Sequence, residues 1–86
     1  MRYRFHTLSG AFYIIDEVNL TWERHTPRAE TPKQILGLEE TSGKLKVAPV
    51  ILIGYRGELV IDAPDLPAGY DRVFTTPVQR IELLDG

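Results

Sequence analysis

The chain has 86 residues, 43% of them apolar and 26% charged, which bounds it to one globular domain and excludes a disordered polymer. Its net charge of −2 and isoelectric point near 5.6 argue against a dedicated non-specific nucleic-acid binder, whose affinity comes from a basic surface displacing counterions. It contains no cysteine, which excludes disulfides and thiolate metal ligands and leaves packing or oligomerisation to hold the fold.

A chain of this size buries roughly 60–65% of its unfolded surface, so one thin core and a net stability of about 4–12 kcal/mol are expected. The start, Met1-Arg2-Tyr3-Arg4-Phe5-His6, has no apolar run behind its arginines and does not read as a signal peptide. The longest aliphatic run, Val50-Ile51-Leu52-Ile53, is too short to span a membrane. Together with the absence of cysteine, this points to a cytoplasmic protein that does not engage membranes.

In chain order, the first segment alternates: Tyr3, Phe5 and Thr7 on one face, Arg2, Arg4 and His6 on the other. That is the period of a half-buried strand. Leu8-Ser9-Gly10 reads as a turn into the β-rich run Ala11–Ile15, completing a hairpin. Asp16-Glu17-Val18-Asn19 is a second polar turn, after which Leu20 and Trp22 share a face opposite Thr21 and Glu23. Trp22 is expected in the core beside Phe5, Phe12 and residues 50–53.

Residues 26–34 carry Pro27 and Pro32 with no apolar period and are expected to form a mobile loop. At its end Thr31-Pro32-Lys33-Gln34 has the pattern of a helix cap, although Gly37 limits any helix to one turn. Ser42-Gly43 is expected to turn the chain between Leu36–Thr41 and Lys44–Ile53. Within the second of these Pro49 should sit at an edge, at a bulge or at the start of the apolar run. Val50–Ile53 has no polar face, so a strand there should be covered on both sides. Tyr55-Arg56-Gly57 reads as a hairpin turn into the strand Glu58–Asp62, and Ala63–Asp71, with Pro64, Pro67 and Gly69, as a loop.

The last segment admits two readings. Val78, Ile81 and Leu84 could line a short helix after Thr76-Pro77-Val78-Gln79. Alternatively Arg72–Thr76 and Val78–Leu84 are strands flanking an edge proline, which the β-branched run Val73-Phe74-Thr75-Thr76 favours. The whole predicts a single all-β domain over residues 1–86. Its architecture is a small barrel or sandwich of six to seven short antiparallel strands, with at most one short helical turn.

The opening Arg4-Phe5-His6-Thr7-Leu8-Ser9-Gly10-Ala11-Phe12-Tyr13 and the closing Phe74-Thr75-Thr76-Pro77-Val78-Gln79-Arg80-Ile81 resemble the ends of small uncharacterised β-domain proteins of actinobacteria and their phages. The similarity covers about a quarter of the chain, and Thr76 stands where those proteins often have serine. It implies an accessory β-domain and carries no catalytic residue over.

Chemistry-bearing residues are sparse. His6 and His25 are expected at the surface, and no His-x-x-x-His pair gives a zinc spacing. Ser9 and Ser42 precede glycines in expected turns, which explains them better than nucleophilic catalysis. Asp16-Glu17 and Glu39-Glu40 sit beside turns, and Glu58, Asp62, Asp65 and Asp71 could gather round one loop, without the pattern of a calcium-binding loop. No catalytic residue, metal site or cofactor is predicted.

The leading expectation is therefore a non-enzymatic module that self-associates as a homo-oligomer or docks on a host protein through Val50, Ile51, Leu52 and Ile53. The alternative is a single-stranded nucleic-acid binder using Lys44, Lys46, Tyr55 and Arg56, since aromatic and basic residues interleave there. A third reading is a domain with a small-ligand pocket, which sequence cannot reveal.

Overall fold

The computed structural model describes residues 1–26 and 41–84. Six antiparallel strands form one curled sheet, a half-barrel: β1 (Arg2–Thr7), β2 (Phe12–Asp16), β3 (Thr21–His25), β4 (Ser42–Lys44), β5 (Arg56–Asp62) and β6 (Tyr70–Leu83). The strand order is β4-β3-β2-β1-β6-β5. Every neighbour in it is a neighbour in sequence except β1 and β6, which join the start of the chain to its end. The described residues contain no helix. Of the region 26–34 expected to be a loop, residues from 27 onward lie outside the described residues, as do the cap pattern at 31–34 and residues 36–40 of the strand expected before Ser42.

The first three strands form as their alternation predicts. Tyr3, Phe5 and Thr7 point inward, as do Tyr13 and Ile15 from β2 and Trp22 from β3. Register places Phe5 opposite Tyr13, and their rings stack at 5.0 Å with a 10° interplanar angle. The β1–β2 turn is closed by hydrogen bonds from Thr7 N to Ala11 O and Gly10 N to Thr7 O, each 2.9 Å. It uses Gly10 at φ 96°, a conformation that glycine adopts without steric penalty. In the next turn Asp16 Oδ1 accepts from the backbone N–H groups of Val18 and Asn19 at 3.0 Å. This is the local bonding that makes aspartate a turn residue.

β6 is one bent strand of 14 residues, where two strands or a helix were expected. Its first half pairs with β5 through Pro77, and its second half, from Val78, pairs with β1. The register slips in both ladders near this handover, and such slips let a strand turn a corner from one sheet to the next. Pro77 therefore lies at an internal bend of β6, not on an outer edge.

Three further expectations are corrected. Ser42-Gly43 is not a turn but part of β4, paired with Glu23 and Trp22. The turn before β5 falls at Ile53-Gly54, with Gly54 at φ 92°, so Arg56 already begins the strand. Val50–Ile53 is not a strand at all: residues 48–52 are irregular.

The core comprises Tyr3, Phe5, Ala11, Tyr13, Ile15, Trp22, Leu45, Leu59 and Val78, with Leu20, Ile51, Ile61, Val73 and Ile81 packed against it. Phe12, expected in this core, faces outward instead, because its neighbours Ala11 and Tyr13 take the inward positions. Gly57 admits the core at β5: a Cβ there would lie 3.4 Å from the Phe5 ring and 3.1 Å from Thr75 Oγ1. Thr75 is itself buried and satisfied, accepting from Gly57 N at 2.9 Å and donating to Thr76 O.

Candidate functional site

The apolar segment 50–53 is exposed yet held in place. Gly54 N donates to Val78 O and Val78 N to Tyr55 O, both at 2.8 Å, so the segment is pinned to the bend of β6. Ile51 turns inward, its Cδ1 close to Gly57. Its neighbours do not: Val50 is 78% exposed, Leu52 56% and Ile53 60%. The same bend anchors a second exposed leucine, since Leu8 N donates to Pro77 O at 2.9 Å. Leu8 and the Gly54-Tyr55 turn thus flank the Pro77–Val78 step, and Leu8, Leu52, Ile53 and Tyr55 are all exposed.

The four residues of the alternative basic patch are not brought together. Lys46 N bonds to Val60 O, and its ammonium lies 3.7 Å from Asp62 at the C-terminal end of β5. Lys44, in β4, lies opposite Thr21 of β3. Arg56 stands at the opposite end of β5, where its Nε donates to Thr75 O at 2.9 Å and its guanidinium lies over the Phe74 ring. Six residues of extended strand separate the two ends by about 20 Å.

The outer face of β3-β2-β1-β6 carries an arrangement that sequence did not suggest. Cross-strand register sets Arg80, His6, Phe12 and His25 in one row and Glu82, Arg4, Ile14 and Glu23 in the next. Glu82 Oε1 accepts from Arg4 Nε at 2.7 Å and lies 3.1 Å from His6 Nε2, while Arg80 approaches its other oxygen at 3.6 Å. The His6 hydrogen bond, and then that of Arg4, hold the Glu82 carboxyl below its ordinary pKa. Phe12 stacks on His25 at 4.7 Å. The charges of Arg4 and Arg80 on these two rows are matched by those of Glu23 and Glu82, so the face is an internally paired surface and not a steering field.

At the other end of β5 the sheet leaves a wedge. It has a volume of about 320 Å³ and is bounded by β4 on one side and by Ile61–Leu66, Asp71 and Val73 on the other, with Trp22 in its wall. Three of the four carboxylates expected around one loop, those of Asp62, Asp65 and Asp71, do line it. The fourth, Glu58, instead pairs with Arg72 at 3.3 Å. Among the described residues no three histidine, aspartate or glutamate side chains converge to hold a metal ion. No helix among them is long and apolar enough to cross a membrane.

No protein-family model, curated protein or solved structure matches this chain.

Proposed function

We propose that this domain is a non-enzymatic interaction module that associates with a second copy of itself through the end of the half-barrel formed by Leu8, Leu52, Ile53 and Tyr55. The observation that carries this reading is the combination of order and exposure in residues 50–55. The backbone is tied to Val78 by two 2.8 Å hydrogen bonds, while Val50, Leu52 and Ile53 all turn toward solvent. Each large aliphatic side chain left in water forgoes roughly 1.5–3 kcal/mol of burial. A fixed cluster of them needs no ordering before it docks, so little conformational entropy opposes association. The resemblance of the chain's two end segments to small actinobacterial and phage β-domain proteins fits an accessory role of this kind.

Size-exclusion chromatography with light scattering tests the reading. A molar mass twice the 9.8 kDa of the chain is expected at high micromolar concentration. A strict monomer over that range removes self-association.

A further inference from the structure

The wedge beside Trp22 is a second surface, separate from the apolar end and independent of the self-association reading. The geometry points to the wedge between β4 and the β5–β6 turn as a binding site for an extended peptide strand of a partner protein that carries lysine or arginine.

The first support is the unfinished ladder. β4 and β5 are the outermost strands of the sheet, and they meet through the Leu45–Ile61 bridge and the bond from Lys46 N to Val60 O. Toward Ser42 the two edges part, and the wedge opens between them. Toward β3, Leu45 N donates to Leu20 O, and Thr41 O accepts from Arg24 N. Alternation along an antiparallel strand then directs the backbone groups of Ser42 and Lys44 to the far edge, along the wedge. An extended peptide completes such an edge with main-chain hydrogen bonds.

The second support is charge. Asp62, Asp65 and Asp71 line the wedge against Lys44. Asp62 is shared with Lys46, but Asp65 and Asp71 have no ion-pair partner among the described residues. A cationic side chain projecting from an added strand into the wedge would supply an ion-pair partner to these carboxylates.

The third is Trp22. Its ring is 2% exposed, and its indole N–H finds no acceptor among the described residues. It lies directly under Gly43, where a Cβ would come within 3.0 Å of Nε1, and both residues line the wedge. A buried N–H without an acceptor is rare enough to need a reason, and a peptide carbonyl seated on the β4 edge supplies one.

The probe is an acetylated, amidated hexapeptide of alternating valine and lysine, titrated against the full chain while the emission of its one tryptophan is followed. A saturable change in Trp22 emission is expected. The double variant Asp65→Lys/Asp71→Lys, with an unaltered circular dichroism spectrum, should weaken it at least about tenfold, because like charges then face each other. The valine–glutamate counterpart and a backbone N-methylated valine–lysine peptide should produce no change. No response to the valine–lysine peptide at millimolar concentration overturns the site. An equal response to the N-methylated peptide, or to lysine amide alone, overturns strand addition. An equal response to the glutamate peptide, or an unweakened one in the double variant, overturns the role of the carboxylates.

Discussion

Leu45 faces Ile61 in a single antiparallel bridge, and this pair ties the first four strands of the sheet back to its last two. Leu45 is 4% exposed and sits at the end of β4, where the barrel would otherwise gape. Its side chain thus fills the core and holds the two edges together.

Leu45→Ala should destabilise the domain by about 2–5 kcal/mol, a large share of what a chain this size has. Urea unfolding followed by circular dichroism measures it. A loss under 1 kcal/mol, of the order found for tolerated substitutions, would show that the bridge does not hold the half-barrel closed.

Trp22 is among the largest fully buried side chains. Its native emission should be blue-shifted relative to the unfolded chain, and Trp22→Ala should remove about 3–5 kcal/mol. Gly43→Ala acts on the same contact from the other side. The added Cβ meets Nε1 at 3.0 Å, and with the ring confined by the core the overpacking should cost about 1–3 kcal/mol. Unchanged stability in Gly43→Ala would mean that the indole has room to move.

Ile51 and Leu52 are adjacent but oppositely placed, one packed on the core and the other more than half exposed. Leu52→Asp should give a folded monomer with an unchanged circular dichroism spectrum. Ile51→Asp places a charge beside Gly57 and against the core and should unfold the domain. If both variants stay folded and keep the parent molar mass, the 50–53 segment is neither core nor interface.

Burial raises the Tyr3 phenol to about 12, helped by the nearby Glu17 charge, and burial likewise raises Tyr13. An unfolded tyrosine ionises near 10. The raised values favour the folded, protonated form, so their contribution is complete below about pH 10 and is lost as pH climbs toward 12. Phenolate absorbance from these two residues should therefore rise together with the loss of circular dichroism. Ionisation of both well before unfolding would contradict their burial.

Glu82 has the opposite sign. Its lowered pKa contributes stability above the ordinary carboxylate range that is lost as pH falls through the folded value. Carbon-detected NMR titration should find Glu82 ionising below an unperturbed glutamate. His6→Ala should move it back toward the ordinary value without unfolding the chain. An unmoved titration would mean that Arg4 and Arg80 set it without His6.

The tail of the chain shows why local pattern misleads. The inward residues of β6 are Val73, Thr75, Val78 and Ile81, so after Thr75 the spacing becomes three. A spacing of three suits a helix, which is why Val78 and Ile81 support that reading. The cause is the register slip in each ladder near Pro77, and each slip inserts a residue. A bulge is a property of the pair of strands, so one strand's sequence does not announce it.

Residues 50–53 mislead for a related reason. Four consecutive aliphatic residues suggest a strand covered on both faces, but no strand adjoins them in the sheet. Only Ile51 finds the core. Whether a continuous apolar run is a buried strand or an exposed segment depends on what lies on either side of it.

By itself the sequence determined the all-β class, the β1–β2–β3 meander, the inward set Tyr3, Phe5, Thr7 and Trp22, and the strand at 58–62. All of these rest on period-two alternation and on turn residues whose preferences act over a few bonds. Tertiary structure alone decided that β6 spans two ladders and that Phe12 lies between both histidines on the outer face. It also split Lys44 and Lys46 from Arg56, and set the loop carrying Asp62, Asp65 and Asp71 beside Trp22. These relations join residues far apart in the chain, through strand order, register and the closure of a curled sheet, and none of those quantities is encoded in any one segment.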